Sequence, residues 1–324
     1  MSKTLLLISE RSEDLAFAQE VAMAAGLSLQ SVQTPKEGAE VLLADGATVI
    51  LVDVSSEEQY REFETAVQDT IGLFSEKINS NSTHFITSEE IERTPYLIQS
   101  PLFGNYIVRN YGDVRESGRY YGRVTLATLR ERAFGLKNLL KENTKIQTVK
   151  FEFSSQKQDG VEAVKNFLLA AKFQSRMASV IANAVDEILM NAIYDAPVDD
   201  LGKPTLSATP RTSKINLKDR NSIEMYVGFD GKYVGVTAVD LFGSLDKAKL
   251  LSFISKIYTH EEYKVKTSSA GAGIGLATVF RSGGSFFFVS ESRVRTEVTV
   301  LFMRTANFKD FKEQFRFLST QFYF

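Results

Sequence analysis

The sequence has no cysteine, which excludes a disulfide framework, a thiolate zinc site and a cysteine nucleophile. Histidine is nearly as scarce. With only His84 and His260 among 324 residues, a histidine-based metal cluster is excluded, and a Ser-His-Asp triad would have to use one of the two. No apolar run approaches the ~20 residues that span a bilayer. The opening MSKTLLLISERSED is too short in its apolar part, and too soon acidic, for a secretory leader. A formal charge of −2 lacks the basic excess that nucleic acid or an anionic membrane requires. What remains is ordinary globular composition, 44% hydrophobic and 24% charged. These limits describe a soluble cytosolic protein of two domains or one large one, with neither nucleic acid nor membrane as partner.

Along the first ~115 residues, strands alternate with helices. TLLLI (4–8) reads as a buried strand. Ser12 offers an N-cap for a helix that ends at Gly26. LSLQSV is a second strand, and Thr34-Pro35 opens a helix stopping near Gly46, with Pro at its first position. TVILVDV (48–54) is a third strand ending in Asp53, and HFIT (84–87) and NYIVR (105–109) supply two more. This spacing predicts a small doubly wound α/β domain over 1–115. Residues 116–145 have helical composition and read as a linker. From TVKFEF (148–153) the pattern changes to one strand, two helices and several alternating strands, an α+β domain over 146–305 with a mixed sheet covered on one face.

Three elements of the second half carry chemistry. On the helix at 176–194, Glu187 and Asn191 are one turn apart beside an apolar stripe. A carboxylate can deprotonate a hydroxyl, and an amide oxygen is a hard ligand for Mg²⁺. Taken alone, such a pair is more often a helix's solvated edge. Asp240 then ends the strand YVGVTAVD and enters a turn with Gly243, which is also ordinary turn chemistry. Finally SSAGAGIGLATVF (268–280) alternates Gly271, Gly273 and Gly275 before an apolar helix. Glycines admit close approach to phosphate, and the following helix start adds amide donors. A lone G-x-G-x-G matches many loops by chance. A hairpin from SGGSFFFVSES and RTEVTVLFM follows.

In this order the elements resemble the GHKL ATPase family, which holds gyrase, histidine kinases and the anti-sigma-factor serine kinases. The likeness spans roughly 146–304, and AVDEILMNAIYDAP is most similar to the anti-sigma branch. It implies a Bergerat-type α/β sandwich binding ATP and Mg²⁺. Glu187 would be the general base, and Asn191 would hold Mg²⁺ against the phosphates. Asp240 would accept from the adenine amino group, and Gly271, Gly273 and Gly275 would cradle phosphates. Thr296 would lie beneath the base. Asp195, Gly243 and Leu276 complete the nucleotide-binding set, and 244–270 would be a lid. The family's Asp-x-Gly-x-Gly is here Asp240-Leu-Phe-Gly-Ser. Either the turn is rebuilt with a one-residue shift, or the adenine pocket is altered by Phe242 and Ser244.

No histidine lies between 116 and 146, so an orthodox histidine autokinase is not expected. His84 reads as structural and His260 as exposed. The expectation is a bacterial signalling protein that phosphorylates Ser/Thr of a partner, such as an anti-sigma antagonist, a sigma factor or a response regulator. Two alternatives stand: a nucleotide-gated interaction module without catalysis, and a two-component phosphotransfer partner. The first half resembles a degenerate response-regulator receiver. Asp53 is its phosphoacceptor candidate, and an ordinary strand-end aspartate is an equal reading. Glu10 stands for one member of the acidic pair, Ser9 replaces the other, and Thr87 ends the fourth strand. The usual lysine is missing, Arg109 being the nearest cation. In 306–324, Phe308, Phe311, Phe315, Leu318 and Phe322 form one stripe of an amphipathic helix, packing on its own domain or serving a homodimer or partner contact.

Overall fold

The computed structural model describes residues 3–72, 78–89, 94–100, 102, 104–130, 134–248, 250–251, 284–313 and 320–324. The chain forms two compact units, Met1–Ala133 with Arg316–Phe322, and Phe134–Phe315 with Tyr323–Phe324.

The first unit is α/β. Its strands are β1 (Thr4–Ile8), β2 (Ser28–Val32), β3 (Val49–Asp53), β4 (Thr83–Thr87) and β5 (Asn105–Val108), in the order β2-β1-β3-β4-β5. Every pair among these five is parallel. Parallel strands are buried on both faces, which is why β1 (TLLLI) and β3 (VILVD) carry near-continuous apolar side chains. The helices are α1 (Ser12–Ala25), α2 (Pro35–Ala44), α3 (Glu57–Ile71), α4 (Pro95–Ile98) and α5 (Val114–Leu129). Local chemistry starts several of them. Thr34 and Glu37 form a capping box around Pro35 at the start of α2. The Ser56 hydroxyl accepts from the Gln59 amide at 3.1 Å, and Asp113 accepts from the Glu116 amide at 3.0 Å. Such a cap contributes about 1 kcal/mol. At α1 the expectation fails. Arg11 is the capping position with no side-chain cap bond, and Ser12 lies inside the helix.

The segment expected to be a linker is placed differently. Helix α5 packs along α1, and small residues bring the two backbones together. A Cβ on Gly118 would lie 2.6 Å from the Glu20 Cβ, and one on Gly122 would lie 2.6 Å from the Val21 carbonyl oxygen. The helix therefore completes the first unit. His84 is structural, as expected: it is buried on β4, where Tyr121 of α5 bonds its Nδ1. Burial pushes the imidazole down to about 3. The folded state thus stays unprotonated while an unfolded chain binds a proton below about 6.5, so stability falls as pH drops from that value. Each pH unit of the gap costs up to ~1.4 kcal/mol. Urea unfolding at pH 7 and pH 5 should show the loss in the wild type and a smaller one in His84→Gln; equal losses would refute this origin.

The second unit is α+β. Strands β6 (Ile146–Phe151), β7 (Ile223–Phe229), β8 (Tyr233–Asp240), β9 (Ser285–Glu291) and β10 (Arg295–Met303) order as β9-β10-β8-β7-β6. The expected mixed sheet is antiparallel in each of these pairs. Helices α6 (Lys157–Ala170) and α7 (Ser175–Met190) pack together, and α7 lies on β8 and β10. On β7 and β8, Gly228 and Gly235 stand in register. Added Cβ atoms there would meet Leu140 at 2.8 Å and Leu136 at 2.4 Å, so the two glycines form a notch that these buried leucines fill.

The expected C-terminal helix is also corrected. A short helix α8 (Phe308–Glu313) is followed by a strand, β11 (Thr320–Tyr323), which carries Phe322 and pairs antiparallel with β5 through Thr320 and Tyr106. Threonine and aromatic residues suit a strand, and the segment pairs as one. Phe311 is buried and stacks on Phe302 at 5.6 Å, so this part of the stripe packs on its own unit. Phe315 and Leu318 lie outside the described residues. No described helix is long and apolar enough to cross a membrane.

Candidate functional site

The second unit opens a cleft of about 280 Å³ between the C-terminal end of α7 and the ends of β8 and β10. Helix α7 places its apolar stripe, Ile181, Val185, Ile188 and Leu189, in the core. Its end then widens into a single π turn, Asn191–Asp195. Such turns change the angular step between residues and recur at functional sites. Here both Asn191 and Asp195 line the cleft. The Asn191 side chain is half-buried and bonded to no described side chain or backbone group, so its carbonyl oxygen is free to meet a hard cation.

Opposite them, β8 delivers Asp240, 4% exposed, and β10 places Thr296 beside it in register. Ile188, Ala238, Phe288 and Val298 line the same cleft. Burial pushes it up to about 6, opposed by the backbone amides of Phe242 and Gly243. The Phe242 amide donates to Asp240 Oδ1 at 2.9 Å.

After Asp240 the chain turns sharply at Gly243. Gly243 has φ +56°, and a Cβ there would sit 2.0 Å from the Glu291 carbonyl oxygen and 2.8 Å from the Arg293 amide nitrogen. Only glycine fits this left-handed, crowded position. The Phe242 ring is buried beneath the Arg220 guanidinium and is not part of the cleft wall. Ser244 does line the cleft, and its hydroxyl donates to the Ala196 carbonyl at 2.7 Å.

Glu187 stands one turn before Asn191, outside the cleft lining. Its carboxyl is raised by burial and by the charges of Asp186 and Asp195, against the lowering of Arg211 and Lys157. That favours proton uptake nearer neutral pH. Gly271, Gly273, Gly275, Leu276 and His260 lie outside the described residues, as does most of the expected lid. Arg211, bonded to Asp195 at 3.2 Å, escaped sequence reading because no motif leads to it. Among the described residues, no group of three carboxylates or histidines could hold a metal ion by itself.

In the first unit, Asp53 ends β3 at the point where strand order reverses, the usual ligand position of doubly wound sheets. Arg109 Nη2 lies 2.7 Å from its Oδ1. Arg11 Nε lies 3.1 Å from its Oδ2, and the Ser55 hydroxyl and amide also donate to Oδ1. Burial alone would raise the carboxyl, yet Ser55 and the two guanidinium groups hold it below the usual carboxylate range. Sequence reading missed Asp14, which is wholly buried. It takes two Arg109 bonds at 2.8 Å and one each from Tyr111 and Ser9 at 2.7 Å. Ser9 therefore does not replace an acid; it donates to one. Glu10 is exposed at the rim beside Asp53, and Thr87 is buried, accepting from the Glu89 amide.

No family model matches the chain, and no curated protein matches it. Among solved structures, it is similar to a chain of the SiaB-SiaC complex from Pseudomonas aeruginosa. The identity is 17%, 48% of this chain and 88% of that chain are covered, and the TM-score is 0.30.

Proposed function

We propose that the second unit binds ATP with Mg²⁺ in this cleft and acts in signalling as a GHKL-type serine/threonine kinase. The observation that carries the reading is Asp240, a buried carboxylate at the bottom of a largely apolar slot with Thr296 beside it. Such a slot suits a flat heteroaromatic ring that offers an amino donor. On this reading Asn191 holds Mg²⁺, which would neutralise phosphate charge when bound. Glu187 takes the proton of the partner's hydroxyl as the terminal phosphoryl group passes to that oxygen and ADP leaves. The acceptor is a small signalling protein of the anti-sigma antagonist type. The first unit is a receiver-like docking domain, its Asp53 already engaged by two arginines.

The test is calorimetric titration of ATP with Mg²⁺ into the full chain, followed by labelled ATP with candidate partners. Saturable binding at micromolar to millimolar ATP is expected. Glu187→Gln should keep binding and lose transfer by on the order of 10²-fold or more. One observation favours a second reading, a nucleotide-gated interaction module: Glu187 does not line the cleft. Binding without transfer to any partner, unaffected by Glu187→Gln, would select it. No binding at millimolar ATP would discard both.

A further inference from the structure

The described lining of the cleft carries three aspartates, Asp195, Asp240 and Asp246, and no lysine or arginine. A nucleoside polyphosphate adds negative charge beside them. Mg²⁺ would offset part of that charge, and a guanidinium within hydrogen-bonding reach would offset more, because carboxylate and phosphate oxygens repel at close range. Arg211 is bonded to this wall through Asp195. It belongs to the long connection between α7 and β7 and is anchored twice on the π turn. The Tyr194 hydroxyl donates to the Arg211 carbonyl at 2.9 Å, and the guanidinium lies 4.5 Å over the Tyr194 ring. Its Nη2 reaches Asp195 Oδ1 at 3.2 Å and Oδ2 at 3.5 Å, a single nitrogen shared between two oxygens. Its Nη1 is buried with no hydrogen-bond partner among the described residues. The fork that matches phosphate bidentately is therefore only half used.

We propose that Arg211 is a polyphosphate ligand that separates nucleoside triphosphate from diphosphate, its guanidinium turning from Asp195 to the terminal phosphate. The inference rests on the nucleotide reading and goes beyond it, since Arg211 belongs to none of the motifs behind that reading. The alternative is a purely structural Arg211–Asp195 pair, and the two separate by direction. Calorimetry of the full chain with Mg²⁺ and either ATP or ADP should show Arg211→Gln weakening ATP roughly 10- to 100-fold, with ADP changed less than about 3-fold. Arg211→Lys, which keeps the charge and loses the fork, should fall between. Asp195→Asn releases the guanidinium, so the preference for ATP over ADP should rise.

Equal losses for both nucleotides in Arg211→Gln, or a lower ATP preference in Asp195→Asn, would overturn the inference while leaving the cleft as a nucleotide site. A wild-type chain that binds neither nucleotide would overturn both. A melting scan of each variant identifies an unfolded sample, and in that case the Asp195→Asn ratio decides.

Discussion

Arg109→Ala should destabilise the first unit by about 3–5 kcal/mol, because it strands a buried carboxylate. Arg109 and Asp14 have side chains 2% and 0% exposed. The guanidinium fills both Asp14 oxygens and also reaches Asp53 at 2.7 Å. Without it, Asp14 keeps only the Tyr111 and Ser9 hydroxyls, which offset part of its lost hydration but none of its charge. Urea unfolding followed by circular dichroism measures the effect. The double variant Arg109→Met with Asp14→Leu should recover part of the loss, since replacing a buried pair by apolar groups is often near neutral but here leaves the Tyr111 and Ser9 hydroxyls without their acceptor. A change below about 1 kcal/mol in Arg109→Ala would show that solvent reaches the pair, as at exposed ion pairs.

On the proposed nucleotide reading, Asp240→Ala should weaken ATP binding by roughly 10- to 100-fold, the result of leaving one buried hydrogen-bonding group without its partner. The pH dependence gives an independent check. Burial raises this carboxyl to about 6, so it is ionised above that value and protonated below it. A protonated carboxyl accepts more weakly, and Oδ1 is already occupied by the Phe242 amide. ATP affinity should therefore fall as pH drops from 7 to 5, more steeply in the wild type than in Asp240→Asn. Protonation of the nucleotide itself is common to both and cancels in their ratio. Identical slopes would remove Asp240 from the binding site.

The parts legible in the sequence are those written in short-range pattern. Strand and helix order in the first 115 residues follows from apolar runs, Gly26 and the Thr34-Pro35 start. The spacing of Glu187, Asn191 and Asp240 put three residues into one region, and the structure brings Asn191, Asp240 and Thr296 to one cleft. What was hidden depends on distant pairing. Asp14 reads as an ordinary first-turn acid of α1, and nothing local reveals that Arg109, 95 positions on, will close over it. The π turn at Asn191–Asp195 leaves the helical composition unchanged, so it is invisible to periodicity. Gly243 was legible as a turn glycine. That no side chain fits there comes from the Glu291 carbonyl on the neighbouring hairpin, which a Cβ would meet at 2.0 Å, a contact only the sheet creates. The helix ascribed to Phe322 failed for the same reason, because β-pairing with β5 outweighs an amphipathic stripe.

The notch at Gly228 and Gly235 bears on how the second unit can be isolated. Leu136, Leu139 and Leu140 are 2%, 5% and 3% exposed, and each such side chain contributes about 1.5–3 kcal/mol through burial. A fragment cut where the first strand of the sheet begins, near 146, would leave two facing glycines with no side chains to shield the backbone between them. Its open face would then be a sticky patch of the kind that drives self-association. A fragment beginning at 134 carries its own cover, so the seven residues from Phe134 to Leu140, which look like connector, behave as the sheet's detachable lining.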